Sequence, residues 1–492
     1  MPNGFAYLVL LSWPLVTILL FRVLPLPKAI AWTIVAGYLF LPEQTGFDLP
    51  VLPQVDKTLI PALSAAVMAW VKLRDPTTPR AAAAAPAVKK LFVVILGLLL
   101  VTPFVTALSN SDPIIIGDGV FFIPGLRIYD ALSIINSTVV MLIPFVLGWR
   151  FLTTEEDHAA LLKVLALGGI AYCLPILIEV RLSPQLNTWI YGFFPHSFAQ
   201  HIRGDGYRPI VFLNHGLWVA IFMASAVLAA TVLWKVRQDK GERLGWALLT
   251  VLLLGALVLV KSLGALLIVL AVLPVMVVLR PRGQVLVAAL LAGIVLFYPL
   301  LRGGGLVPVD WIVTTVEGIA PDRARSFEFR LDNEDQLLER ANLKPFAGWG
   351  GWGRPLIYDE TTGRMLSVTD GAWIIVIGQG GWLRYLGVFG LLSLPILLLW
   401  TRFGSLRPGL ATIGLSLVLA AGLVDLLPNA TLTPVTWLLA GALAGRVQLA
   451  TAGKPEPGTP ERPARAPHRR DRPALSKATR PAPVRREVRF RR

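Results

Sequence analysis

Charge and cysteine are what this sequence of 492 residues has least of. Its one cysteine, Cys173, lies in an apolar stretch, which excludes an intrachain disulfide framework and argues against a thiolate metal cluster. Charged residues make up 15% of the chain and hydrophobic ones 55%, whereas soluble domains run at about 25% and 45–50%. A set of soluble domains is thereby excluded. Several site motifs are also missing: the phosphate-binding Gly-Lys-Ser/Thr loop, a paired-histidine zinc helix, the Gly-x-Ser-x-Gly elbow and spaced acidic residues for calcium. The apolar runs contain no ladder of carboxylates of the kind an ion pump needs. Met1 to Gly4 carry no basic residue, so the first apolar run reads as a membrane span and not as a cleaved signal.

Long uncharged runs are what the sequence has instead. Candidate spans fall at 5–24, 29–42, 57–71, 91–108, 130–149, 159–180, 211–234, 244–260, 263–279, 284–301, 383–400, 407–424 and 432–448. Most approach the roughly 20 residues a helix needs to cross a bilayer. The second and third are short, so 12 or 13 transmembrane helices are expected. The expected fold is all-α, a polytopic integral membrane protein with a large helical periplasmic loop. Its expected parts are membrane helices over 1–301 with an outer loop at 181–210, the large loop at 302–382, further membrane helices over 383–448 and a tail at 449–492.

The net charge of +16 is concentrated in the tail, where 451–492 hold 13 Lys and Arg against 4 Asp and Glu. Rich in proline and almost without apolar residues, the tail is expected to be disordered and cytoplasmic, facing anionic lipid and not nucleic acid. With the tail inside, the short inner loops carry 16 basic residues and the outer ones 6. That bias is the usual positive-inside pattern. Glu179 and Asp425 fall at span ends, where solvation is expected, and Arg22 and Lys261 are placed to snorkel.

The outer loops hold the remaining polar groups. Residues 181–210 lead through Arg203, Tyr207 and Arg208 into Phe212, Asn214 and His215 at the head of a span. The large loop is long enough to be functional. It contains an amphipathic helix with Phe327, Leu331, Leu338 and Ala341 on one stripe, expected to lie on the membrane surface or across a cavity mouth. On that helix Arg330 and Glu334 are four residues apart, a spacing that either lets them simply pair on an exposed face or leaves them for a site, and Arg340 follows. Pro345 ends the helix, and Gly348, Gly350, Gly351 and Gly353 alternate with Trp349 and Trp352. The loop closes with Thr369-Asp370-Gly371-Ala372-Trp373 before Gly378-Gln379-Gly380-Gly381. An Asp before Gly is ordinarily a turn residue or cap.

In this order the motifs resemble the O-antigen ligase and O-antigen polymerase superfamily of bacterial membrane glycosyltransferases. Arg208, Phe212 and Asn214 match an outer-loop arginine leading into a span. Lys261-Ser262-Leu263-Gly264-Ala265 is similar to the family's small-residue turn, with the basic residue ahead of the serine. Arg330, Glu334, Pro345 and Gly348-Trp349-Gly350 match the large-loop spacing, with Glu in place of Trp. Thr369-Asp370-Gly371 stands where ligases carry a histidine near an asparagine.

The resemblance implies a fold like that of the C-type membrane glycosyltransferases. It further implies a metal-independent, inverting transfer, without a cofactor, at the periplasmic face of the inner membrane. The donor would be an undecaprenyl-pyrophosphate-linked glycan and the acceptor a glycan or lipid A-core, with a chain-length regulator as a further partner. Arg208 and Arg330 would clamp the diphosphate, with Arg203 and Arg340 in reserve. Asp370 would be the base, with His196, His201 and His215 as substitutes, since an imidazole titrates near neutrality. Asn214 and His215 would bind substrate, and Tyr207, Trp349, Trp352 and Trp373 would stack on sugars. The missing ligase histidine favours a polymerase over a ligase proper. A transporter or flippase of lipid-linked sugars is the alternative from another class. It would require charged side chains facing a cavity within the spans, and none is evident in the sequence.

Overall fold

Backbone in a bilayer must satisfy its own hydrogen bonds, so apolar runs of this length fold as helices. The computed structural model describes residues 1–48, 53–73, 85–116, 121–204, 206–319 and 321–449. The chain opens with α1 (Gly4–Val23), α2 (Leu26–Phe40), α3 (Leu59–Leu73), α4 (Pro86–Leu108), α5 (Ile128–Phe151) and α6 (Glu155–Leu182). A short α7 (Leu186–Tyr191) and a 3-10 turn at Phe198–His201 lead to α8 (Gly216–Val236), α9 (Lys240–Leu259), α10 (Leu263–Val278) and α11 (Pro281–Gly303). The large loop holds α12 (Val309–Ile319) and α13 (Pro321–Asn342). Last come α14 (Ala372–Thr401), α15 (Phe403–Leu406), α16 (Leu410–Asp425) and α17 (Pro434–Gln448). Strands among the described residues form only short antiparallel hairpins, such as Ile202–Arg203 with Gly206–Tyr207.

Among the described residues, eight helices (α1, α4, α5, α6, α8, α9, α11 and α14) are long and apolar enough to cross a membrane, and α2, α3, α10 and α16 are apolar but shorter. The chain is an all-α, multi-pass membrane protein. Helix α8 is the most enclosed of the long spans, packed against α6, α9, α10 and α16. The tail from 450 onward, read above as disordered, lies outside the described residues.

The structure departs from the sequence reading at several boundaries, two of which bear on the site. Helix α14 begins at Ala372, so 372–382, counted above with the loop, is helical. Its glycines dilute the hydropathy and hide the helix start. Helix α8 begins at Gly216, five residues after the span was expected to start, because 210–215 turn to meet the loop.

Glu179 and Asp425 are buried, not solvated. The Glu179 carboxylate accepts the backbone N–H groups of Leu186 (3.0 Å), Ile210 (2.8 Å) and Val211 (2.7 Å). It therefore fastens the 181–210 loop over the end of α6. Asp425 accepts from Asn429 and Thr431, at 2.9 and 2.6 Å, and closes the turn into α17. Position along a span could not show that the following loop folds back over its end.

Helix α14 is broken within its own length. Gly381 sits at φ 60°, ψ −162°, a conformation open essentially to glycine alone. The freed groups are met by the large loop's glycine run: Trp349 and Gly350 donate to the carbonyls of Gly378 and Gln379 (2.9 and 2.8 Å), and Trp382 donates to Pro345 (2.7 Å). A Cβ on Gly348 would lie 2.5 Å from the Gln379 carbonyl carbon, and one on Gly381 2.4 Å from the Pro345 oxygen. The two glycine-rich segments exist to let these backbones meet.

Candidate active site

Helix α13 is set by its apolar stripe. Leu331, Leu337, Leu338 and Ala341 are buried, and the helix packs on α11 and α14; the Phe327 side chain lies outside the described residues. Each such leucine contributes about 1.5–3 kcal/mol. Asn333 pins the returning chain to this helix, its side-chain oxygen accepting the Val368 N–H at 2.9 Å. Arg302 anchors the other side through Asp335, at 2.8 Å.

This packing brings together residues 40 positions apart in sequence: Arg330 Nε lies 3.2 Å from Asp370 Oδ2, with side chains 37% and 32% exposed. Arg330 therefore pairs with Asp370, and not with Glu334, the partner that helical spacing allowed. Asp370 is not the cap of α14, since Gly371 holds that position without a side-chain bond.

Glu334 is buried instead, its Oε1 accepting from Trp373 Nε1 at 3.3 Å. Burial pushes its carboxyl up to about 7, against the lowering effect of the Trp373 hydrogen bond and the Arg302 charge. A carboxyl poised near working pH thus lies on the large-loop helix, where the sequence showed only a helix-face residue.

The raised value has a consequence for stability. A carboxyl whose pKa rises from 4.5 unfolded to about 7 folded binds its proton more tightly in the native state. The protein therefore loses stability as pH climbs through that window, by up to about 3 kcal/mol. Glu334→Gln is expected to melt with the native chain at pH 5 and several degrees above it at pH 8. Thermal melts at the two pH values check this; equal melting at pH 8 would mean that Glu334 is solvated.

Trp373 is fully buried, with the Tyr298 ring edge-on at 4.9 Å. It therefore cannot stack on a sugar, and the expectation that it would is corrected. Arg340 donates to the Arg354 carbonyl (2.8 Å) and lies 4.3 Å over the Trp349 ring, which Lys344 also approaches at 4.7 Å. These contacts make Arg340 and Trp349 a clasp holding the glycine run, where a substrate-binding role was expected. Trp352 is the exposed aromatic of the group and sits at φ 54°. It borders a cavity of about 140 Å³ whose wall includes Leu337, Leu356, Thr369, Gly378 and Gln379.

The second outer loop gathers its own set. Arg208 is buried and donates to the Lys261 carbonyl at 3.0 Å, while Lys261 Nζ donates to the Arg203 carbonyl at 3.0 Å. Tyr207 pairs with Ile202 in the hairpin and packs against Phe198, at 6.0 Å between ring centres. Asn214 is half-buried at the turn before α8. His215 Nδ1 accepts the Leu217 N–H at 3.1 Å and so caps α8. The rings of His196, His201 and His215 cluster at 4.8 to 5.7 Å.

Burial, with the nearby charges of His196, Arg208 and Arg203, brings His201 down to about 4. It does not titrate near neutrality as expected, and protonating His215 at Nδ1 would cost its cap. Both are poor bases in this setting. Among the described residues, no three His, Cys, Asp or Glu side chains are arranged to hold a metal ion. Arg208 and Arg330 thus belong to two different sets of contacts.

No family model matches this sequence, and no curated protein matches it either. The assignment of a reaction therefore rests on the motifs and on the chemistry of these two sets.

Proposed function

We propose that this chain is a bacterial inner-membrane glycosyltransferase that polymerises or transfers an undecaprenyl-pyrophosphate-linked glycan at the periplasmic face. The observation that carries the reading is the Arg330–Asp370 ion pair beside buried Glu334, on a loop packed against membrane helices. In this scheme an acceptor hydroxyl attacks the anomeric carbon and the bond to the diphosphate breaks with inversion. Asp370 takes the hydroxyl proton, and guanidinium groups stabilise the leaving charge without a metal. Arg330 and Arg208 are the first choices for that charge. The basic bias of 16 against 6 supports the orientation with the tail inside. Asp370 in place of a histidine supports a polymerase over an O-antigen ligase proper.

A transporter of lipid-linked sugars is a second reading, and one observation favours it beyond what the sequence offered. Arg384 lines a crevice between spans, next to the break in α14, and discontinuous helices of this kind form transporter sites. One assay separates the readings. The purified chain in nanodiscs, given an undecaprenyl-pyrophosphate glycan, is expected to release undecaprenyl pyrophosphate and a lengthened glycan. Glycan delivered to lipid A-core instead would identify a ligase. Movement of the intact donor across a vesicle bilayer without release would overturn the enzyme reading.

A further inference from the structure

Arg384 is the charge the sequence reading missed. It lies four residues after Gly380 on α14, and its stem folds back across that glycine: a Cβ there would fall 2.4 Å from the Arg384 Cβ and 2.6 Å from its Cδ. The side chain lines a crevice walled by α4, α5 and α14, with Thr102, Thr106, Thr138 and Gln379. Among the described residues Arg384 has no ion-pair or hydrogen-bonding partner, and the Gln379 amide side chain has none either. The hydroxyls of Thr102 and Thr138 donate to Leu98 and Ile134 within their own helices, both at 2.7 Å. An unpaired guanidinium in a membrane-spanning helix is costly, and such residues pair with something or mark a functional site. Unused donors on both Arg384 and Gln379 call for an acceptor of negative charge.

The position narrows the choice. Thr102 and Thr106 lie six and two residues before the end of α4 at Leu108, so about 3 to 9 Å from it at 1.5 Å per residue. That end faces the large loop, since Lys344 Nζ reaches Asn110 at 2.8 Å. The threonine-lined part of the crevice therefore lies toward the large-loop end of these helices. The crevice is narrow, with a cavity volume of only about 10 Å³, too little to enclose a headgroup. A headgroup would engage the guanidinium at the mouth, with its tail on the lipid-facing surface. Gln379 lines both this crevice and the 140 Å³ cavity that reaches Thr369, next to Asp370.

We propose that Arg384 and Gln379 bind the phosphate headgroup of a lipid in the leaflet on the large-loop side. A planar fork of five donors suits phosphate oxygens. The link to glycan transfer rests on the function proposed above: a diphosphate held here would direct its sugar along the cavity toward Asp370. The binding itself does not depend on that reading.

Native mass spectrometry of the full chain, with undecaprenyl diphosphate, phosphatidylglycerol or inorganic pyrophosphate added, tests the site. The native chain is expected to retain lipid phosphate, and Arg384→Gln to lose retention at least tenfold. Preference for undecaprenyl diphosphate would tie the site to the donor, and equal retention of phosphatidylglycerol would make it a general lipid-phosphate site. Inorganic pyrophosphate competing as well as either lipid would overturn the lipid assignment, and unchanged retention in Arg384→Gln would overturn the site. Arg384→Met supplies a control independent of binding. With no partner to lose, it should melt at or above the native temperature, whereas a large drop would make Arg384 a structural residue. Retention lost in Arg384→Gln with no glycan transfer by the native chain would keep the site and discard the enzyme.

Discussion

Arg330→Ala should cut glycan transfer by about 10² to 10³ while leaving the fold intact. The two halves of this expectation come from one geometry. The Arg330–Asp370 pair is more than a third exposed on the arginine side and about a third on the aspartate side. Exposed pairs contribute about 0–1 kcal/mol to stability, so the melting temperature should barely move. A guanidinium that stabilises a leaving diphosphate in the transition state is worth the larger factor. Arg330→Lys should recover part of the activity, because an ammonium supplies the charge without the two-pronged donor geometry. Steady-state release of lipid pyrophosphate, measured beside a thermal melt, checks both halves. Full turnover in Arg330→Ala would leave the residue as a surface ion pair. Arg208 makes a poorer first test, since its buried contact with the Lys261 carbonyl ties activity to the fold of the loop.

The spans were legible because membrane burial writes itself into composition: every candidate span falls on a helix. So was the stripe of α13, where Leu331, Leu338 and Ala341 repeat at helical spacing and are buried. Arg330 and Asp370 were each selected from sequence, but as members of separate clusters. Their meeting depends on how residues 343–371 return across α13, and local spacing carries no information about that return. A pairing of Arg330 with Glu334 is allowed by the four-residue rule, which tells only which side chains share a helix face. It does not say that Glu334 turns toward Trp373. Arg384 is hidden in the sequence because hydropathy starts the span at 383, which makes an interior residue look like a terminal one. The glycines at 378, 380 and 381 lowered the hydropathy there, and the same glycines form the break that gives Arg384 its setting.

Asp370→Asn should lower turnover by about 10² to 10⁴, the range for losing a positioned base, and leave donor binding almost unchanged. Asparagine keeps the size of the side chain and an oxygen to accept from Arg330 Nε, but it cannot take a proton from the acceptor hydroxyl. The competing account, an Asp-Gly turn or helix cap, predicts that asparagine serves nearly as well. The structure weakens that account, because α14 is capped by Gly371 and the Asp370 carboxylate points to Arg330. The double variant Arg330→Ala with Asp370→Asn sharpens the test. Residues acting as one unit are strongly non-additive, so it should be little slower than the slower single variant. Independent roles would multiply the two losses. Wild-type turnover in Asp370→Asn would sink its role as base and pass that role to Glu334. The activity of Glu334→Gln would then lose an acid limb near pH 7, the value to which burial brings that carboxyl.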